Sequence, residues 1–402
     1  MKPLEGVRVI DMTTMLAAPM CSRLLAEWGA DVVKVESLSG DVWRTMYGTA
    51  TCPCTEEANP CFDAENLNKR YVALDLRAPE GMAVLHRMLG QADVFVSNYR
   101  LGALESMGLA YEQLKERYPG LVHASVLGYG SEGPESNRPG YDYTAFYARS
   151  GFMADLAPAG GPPVMTIAGL GDHIVATALA GGIAAALHKK AKTGLGDKVD
   201  VSLLQVGVFI LSTGLLNAFY GKEYPRDRYD PSQATSNTYR CSDNEWFYLA
   251  VSDYRKFPEL CRVIGMPELA EDPRFSTREA FFRPENKRAL TEIFDGVFAA
   301  RPLAYWHQLL DAHDLPHEPA CHMKDVPYDP QVVANHYASI HEYADGTKTV
   351  FANGPVHFGS VDHAHLPRRT SGPIGRDTEE VLREFGLTKD ELEALRKGGI
   401  LP

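Results

Sequence analysis

One carboxylate in this chain stands where it could act as a nucleophile. Asp172 lies in Gly169-Leu-Gly-Asp-His173, between two glycines and a long apolar run. An aspartate in water is ionised at neutral pH, so it can attack an activated acyl group without a base to deprotonate it first. Gly169 and Gly171 remove side chains just ahead of it, which would let a bulky ligand approach. The apolar run reads as a helix beginning at Asp172, and free N–H groups at a helix start can hold an anion or a developing oxyanion. The competing reading is a helix cap, because Asp is a favoured N-cap residue and such a cap contributes ~1 kcal/mol. Spacing alone leaves both open.

Other chemistries have less to stand on. Cys52, Cys54 and Cys61 cluster in TCPCTEEANPC, but C-x-C and a six-residue gap lack the paired C-x-x-C spacing of a zinc site, so a polar loop is the preferred reading. The first strand-to-helix turn, DMTTMLAAP, has no glycine, and no G-x-G-x-x-G occurs in a suitable place. Glu36 sits where a ribose-binding acid would, yet without those glycines a nicotinamide-linked enzyme is disfavoured. Walker, G-x-S-x-G and H-E-x-x-H motifs are absent as well.

These residues need a scaffold, and the chain supplies one in alternating units. GVRVIDM, a helix with Leu24, Leu25 and Trp28 at helical spacing, and ADVVKVE read as strand, helix, strand, with Pro19 near the helix start and Gly29 ending it. YVALDL through VFVSN repeats the pattern, and LVHASVLGYG adds a strand. Such alternation indicates right-handed crossovers and a mainly parallel sheet, hence an α/β fold. The helix from Asp172 to Lys192 is apolar nearly all round, which predicts burial, and Gly194 suits its end. DKVDVS reads as a strand, and SLLQVGVFILSTGLLNAF as another largely buried helix. A polar loop around Tyr224 to Ser236 marks the expected boundary. Beyond it, YRCSDNEWFYLAV predicts a hairpin turning at Ser242-Asp243-Asn244, and the tail predicts two helices, the second starting at Thr388-Lys-Asp-Glu391.

At 402 residues the chain exceeds one ordinary core, so two domains, or one with an insertion, are expected. Its net charge of -12 argues against nucleic acid or an anionic membrane as the main partner. Apolar stretches are broken by Lys, Asp or Gly before reaching membrane-spanning length, and MKPLEGVRVIDM has no secretory apolar region, so the expected location is cytoplasmic. The seven cysteines are then expected as reduced thiols.

An ordered set of phrases resembles the class III CoA-transferases, the family of formyl-CoA transferase and carnitine CoA-transferase. It runs from PLEGVRVIDMT and AEWGADVVKVES through NLNKRYVALDL, ADVFVSNYRLGALESMGL, VLGYGSEGP and RPGYDYTAFYARSGFM to GLGDH, TGLGDKVDVSLL and GRDTEEVLREFGL. The resemblance implies that Asp172 is the family's nucleophile, passing through acyl anhydride and aspartyl-CoA thioester intermediates, with coenzyme A entering as acyl-CoA and neither ATP nor metal required. It implies a large Rossmann-like domain from residues 1–224 and 326–402, a smaller α+β domain over 225–325, and an interlocked homodimer. For the CoA moiety the candidates are Lys69, Arg70, Asn98, Arg100, Met107, Gly128 and Tyr129; for the acyl side, Met15, Leu16, Tyr141 and Phe146.

The family also includes α-methylacyl-CoA racemases, which use a histidine in G-H-D. This chain has Gly140-Tyr141-Asp142, and a tyrosine with an ordinary pKa of about 10 is a poor base at neutral pH, so transfer is favoured over racemisation. Asp142 is expected to bond nearby backbone, and His173, pointing about 100° away from Asp172 around the helix, to pack. A non-catalytic CoA-binding subunit is a further alternative. Leu16 stands where formyl-CoA transferase has glutamine, and the glycine-rich loop of that enzyme is missing, which counts against a small dicarboxylate acceptor. PGYDYTAFYARSGFM, GLGDH and ALHKKAKTG look most like the 2-hydroxyacyl CoA-transferases of amino-acid-fermenting anaerobes, which act on 2-hydroxyisocaproate, phenyllactate and the matching enoates.

Overall fold

The computed structural model describes every residue except 49, 50 and 56, and divides into two compact units. The larger comprises Met1–Phe152, Thr166–Leu215 and Pro327–Pro402; the smaller comprises Met153–Met165 and Leu216–Val326.

The larger unit is built on a six-stranded sheet whose neighbouring strands all run parallel. Its strands are β1 (Arg8–Met12), β2 (Asp31–Glu36), β3 (Arg70–Ala73), β4 (Val94–Ser97), β5 (Val122–Leu127) and β6 (Lys198–Ser202), in the order β3-β2-β1-β4-β5-β6. Val-rich runs form the central strands because both faces are covered, so no alternation with polar residues is needed. Ile10 pairs with Val33 on one side and Phe95 on the other, and all three join one core cluster with Val381 and Phe385 of the C-terminal tail. That tail is pinned to β3: Asp377 Oδ2 accepts the Tyr71 N–H at 2.9 Å.

Crossover helices include α1 (Ala17–Glu27), α2 (Pro60–Asn66), α3 (Pro79–Leu89), α4 (Leu101–Ser106) and α5 (Tyr111–Arg117). A π-helical turn spans Asp142–Ala148, followed in the same unit by α6 (Leu170–Thr193) and α7 (Leu203–Ile210). The strand order reverses direction between β1 and β4, and ligands of open α/β sheets bind outside the carboxyl ends of the strands at such a point.

Several expectations need correction here. α6 begins at Leu170 with Gly169 as its N-cap, so Asp172 lies inside the first turn and is not the cap. The helix is not buried all round: Val175, Leu179 and Ile183 face inward, while Thr177, Ala178, Gly181 and Ala185 form an exposed stripe. At 24 residues it is long and apolar enough to cross a membrane by length and composition, which corrects the expectation that every apolar run is broken short of that length. It packs instead on α1 and β5. The segment after β6 is not one buried helix either. It breaks at Leu211 into α7 and a helix over Ser212–Phe219, and leaves Phe209 and Phe219 exposed.

In the smaller unit the hairpin forms as read, Ser236–Arg240 pairing antiparallel with Trp246–Ala250, and Asn244 takes a left-handed φ of 70° in its turn. In the tail, Thr388 and Glu391 make the reciprocal capping pair, Thr388 Oγ1 accepting from Glu391 N at 3.2 Å and Glu391 Oε2 accepting from Thr388 N at 2.6 Å.

Candidate active site

The turn leaving β1 is held in a shape it would not choose. Met15 has φ 69°, a left-handed conformation that costs a non-glycine residue on the order of 1–2 kcal/mol. Its neighbours hold it there. Asn98, just past β4, accepts the Thr14 N–H at 3.0 Å and donates to the Thr14 carbonyl at 2.7 Å. Asp41 accepts the Met15 N–H at 3.3 Å and is paired at 3.0 Å with the buried Lys34, whose Nζ also donates to Thr13 O at 2.8 Å. Beneath lies a second buried pair, Lys69 Nζ and Asp11 Oδ2 at 2.9 Å. Met15 and Leu16 thereby become one wall of a cavity of about 710 Å³.

Asp172 forms part of the same cavity, with Val42, Met46, Gly128 and Tyr141. The π-helical turn and α6 place it. Asp142 is buried, and its Oδ2 accepts the Gly169 N–H at 3.1 Å, so the anion at the mouth of α6 is Asp142. Desolvation raises the Asp142 pKa, and the N–H groups of Gly169, Gly171 and Asp172 pull it back, although only Gly169 meets hydrogen-bond geometry. The glycines have packing reasons of their own. A Cβ on Gly171 would lie 2.3 Å from Asp142 Oδ1 and 2.4 Å from Phe146 Cγ, while Gly169 adopts φ 82°. Room for a ligand is not what they secure.

Asp172 itself is half-buried, and no hydrogen bond lowers its pKa. Desolvation, then the charges of Asp142 and Glu65, push it up to about 7, with His173 opposing. The expectation that it is simply ionised at neutral pH is corrected: near pH 7 both forms are populated. Glu65, buried on α2, meets His173 Nε2 at 3.0 Å. Desolvation lowers the His173 pKa, but the hydrogen bond and charge of Glu65, and then Asp172, raise it overall. Glu65 lies 108 residues from His173 in sequence, and no motif signals the contact.

A second cavity, of about 760 Å³, opens past the ends of β2 and β3, lined by Leu38, Leu74, Arg77, Met82 and Met107, and both cavities touch Tyr99. Of the residues singled out from sequence, Met15, Leu16, Asn98, Arg100, Gly128, Tyr141 and Asp172 line the first cavity and Met107 the second. The Arg100 guanidinium has no ion pair among the described residues.

Four others lie elsewhere. Lys69 is fully buried, its Nζ spent on Asp11, Asn66 Oδ1 at 2.7 Å and Pro19 O at 2.8 Å; desolvation lowers its pKa to about 8 against the pull of Asp11. Arg70 forms a two-pronged pair with Asp31 at 2.9 and 2.6 Å and reaches Glu384 at 2.7 Å. Neither cation lines either of these two cavities; each already neutralises a carboxylate of the fold. Tyr129 lies under the guanidinium groups of Arg138 and Arg149, 5.2 and 5.9 Å from its ring centre. Phe146 is wholly buried beneath Gly171. Sequence reasoning missed Val42, Met46, Tyr99 and Arg138 as lining residues.

Residues 4–378 match the family model described as CoA-transferase family III. The (R)-2-hydroxy-4-methylpentanoate CoA-transferase of Clostridioides difficile is 37% identical over 402 residues, 99% of each chain. The cinnamoyl-CoA:phenyllactate CoA-transferase of Clostridium sporogenes is 35% identical, covering 98% of this chain and 96% of that one. Among solved structures, a CAIB/BAIF family protein from Brucella suis superposes with a TM-score of 0.81 at 29% identity, covering 96% of this chain and 99% of the other.

Proposed function

The chain belongs to CoA-transferase family III and is an enzyme of that class; from that premise we propose that it moves CoA reversibly between a 2-hydroxyacyl-CoA or enoyl-CoA and a free acid with an aliphatic or aromatic side chain. The observation that carries the reading is Asp172, an aspartate without a hydrogen-bond donor among the described residues, lining a cavity of mixed polar and apolar walls at the switch point of the sheet.

Ionised Asp172 attacks the thioester carbonyl, giving a mixed anhydride and CoA thiolate. The thiolate then attacks the aspartyl carbonyl, releasing the donor acid and leaving an aspartyl-CoA thioester. The acceptor carboxylate displaces the thiolate to form a second anhydride, and the returning thiolate attacks its acyl carbonyl, freeing Asp172 and the new acyl-CoA. Thioester replaces thioester, so the bond energies nearly cancel. Water would hydrolyse each intermediate, and the desolvation that raises the Asp172 pKa also disfavours water beside it.

Met15, Leu16, Val42 and Met46 offer hydrocarbon to the acid's side chain. The second cavity suits the nucleotide end of CoA, with Arg100, on the first cavity next to the shared Tyr99, as a phosphate partner. The exposed stripe of α6 and the exposed Phe209 support a homodimer that covers them.

The test is a panel pairing 2-hydroxyacyl-CoA donors with enoate acceptors, with hydroxylamine trapping followed by mass spectrometry. Transfer together with a hydroxamate at Asp172 is the expected result. Active enzyme with Asp172 unmodified would sink the covalent route, and α-proton exchange without an acceptor acid would favour racemisation.

A further inference from the structure

The smaller unit carries a cluster that the transfer chemistry does not use. His307 and Asp311 stand one turn apart on the helix Leu303–Asp311 and so share a face, and His317 begins the strand His317–Pro319 that the helix packs against. Their side chains converge. His307 Nδ1 lies 2.8 Å from His317 Nε2, and the Asp311 carboxylate lies 3.7 Å from His307 Nε2 and 4.0 Å from His317 Nε2. One donor atom from each residue falls within 4.8 Å of the other two.

Proton placement makes this more than a histidine pair. The His317 side chain is 1% exposed, and its Nδ1 lies 2.9 Å from the Leu315 carbonyl. That contact fixes a proton on Nδ1 and leaves a lone pair on Nε2. If a neutral His307 fills this lone pair with its Nδ1–H, its own Nε2 is bare and faces the Asp311 carboxylate, acceptor against acceptor. A second proton on His307 is one resolution. Water at this exposed edge is another, and a cation held by His317 Nε2, a ring nitrogen of His307 and a carboxylate oxygen of Asp311 is a third. A backbone carbonyl orienting a buried imidazole is also the outer support that metal-bound histidines use.

We propose that His307, Asp311 and His317 bind a divalent transition metal, and that zinc suits this set of two imidazoles and one carboxylate. Zinc–nitrogen bonds near 2.0–2.1 Å in tetrahedral geometry require the two nitrogens to part to about 3.3 Å, a small rotation for the half-exposed His307 ring. Solvent completes the coordination, since the side chains of His307 and Asp311 are 44% and 65% exposed. The metal would clip helix to strand across the Ala312–Pro316 connection, remote in role from Asp172.

The full chain, stripped with chelator, is titrated with ZnCl2 by calorimetry and with Co²⁺ by visible absorption. One saturable equivalent is expected. His307→Ala and Asp311→Asn, both on the surface, should each weaken it by at least about tenfold, the loss seen when even an outer partner of a metal ligand is removed. Both variants should keep CoA transfer and the metal-free melting temperature. Absence of a saturable equivalent in the parent chain overturns the proposal and leaves a proton shared with His307. Full affinity in either variant overturns it too, by placing the metal elsewhere.

Discussion

At Asp172 one environment imposes two opposite demands. Desolvation and the nearby acids push its pKa up to about 7, so the ionised nucleophile grows in as pH rises. The acylation rate should climb with a midpoint near pH 7, measured by single-turnover mixing with acyl-CoA; a flat profile from about pH 5.5 to 8.5 would contradict this. The sign for stability is reversed. An acid whose folded pKa lies above its unfolded value near 3.8 stabilises the fold fully below that value, and the contribution is lost as pH rises through about 7. Asp172→Asn should therefore abolish transfer yet melt higher than the parent at pH 8, by on the order of 1–4 kcal/mol, with little difference at pH 4. A helix cap would not behave so, since Asn caps about as well as Asp and would leave the melting temperature unchanged at both pH values.

The elements around Asp172 are fixed by contacts that tolerate little change. Gly171→Ala would drive a methyl group into Asp142 and Phe146, neither free to retreat, and should destabilise by about 1–3 kcal/mol while lowering transfer. Lys69 gives a sharper test of roles. Lys69→Ala strands the buried Asp11 without its cation, and breaking such a pair costs about 3–5 kcal/mol. Its folded fraction should keep the parent KM for acyl-CoA, read from initial rates normalised to folded protein. Arg100→Ala should do the opposite, raising KM several-fold with the melting temperature unchanged. The two variants separate a cation that neutralises Asp11 inside the fold from one that meets phosphate.

At the scale of the whole molecule, α6 leaves a stripe of small residues exposed and the broken helices after β6 expose Phe209 and Phe219, a surface that a second copy would cover. Light scattering should give twice the 44.3 kDa chain mass. Phe209→Glu should shift it towards the single-chain value, and a stable parent monomer would refute the homodimer.

What the sequence determined by itself is local. Apolar runs separated by helical spacing specify parallel strands and crossovers, and these fix which turns lie at the carboxyl edge of the sheet. Gly194, Thr388 and the Ser242–Asn244 turn act through their immediate neighbours, so they could be read directly. Asp172 could be found because its motif is contiguous. Only the tertiary structure decided what each charge faces. Lys69 and Arg70 look like free cations until Asp11, Asp31 and Glu384 arrive from distant segments to neutralise them. A cap role for Asp172 stays open until Asp142 occupies the anion position at the helix mouth, and Asp172 reads as ionised until burial, Asp142 and Glu65 raise its pKa. Burial and charge pairing depend on which segments meet in space, and neither is a property of spacing along the chain.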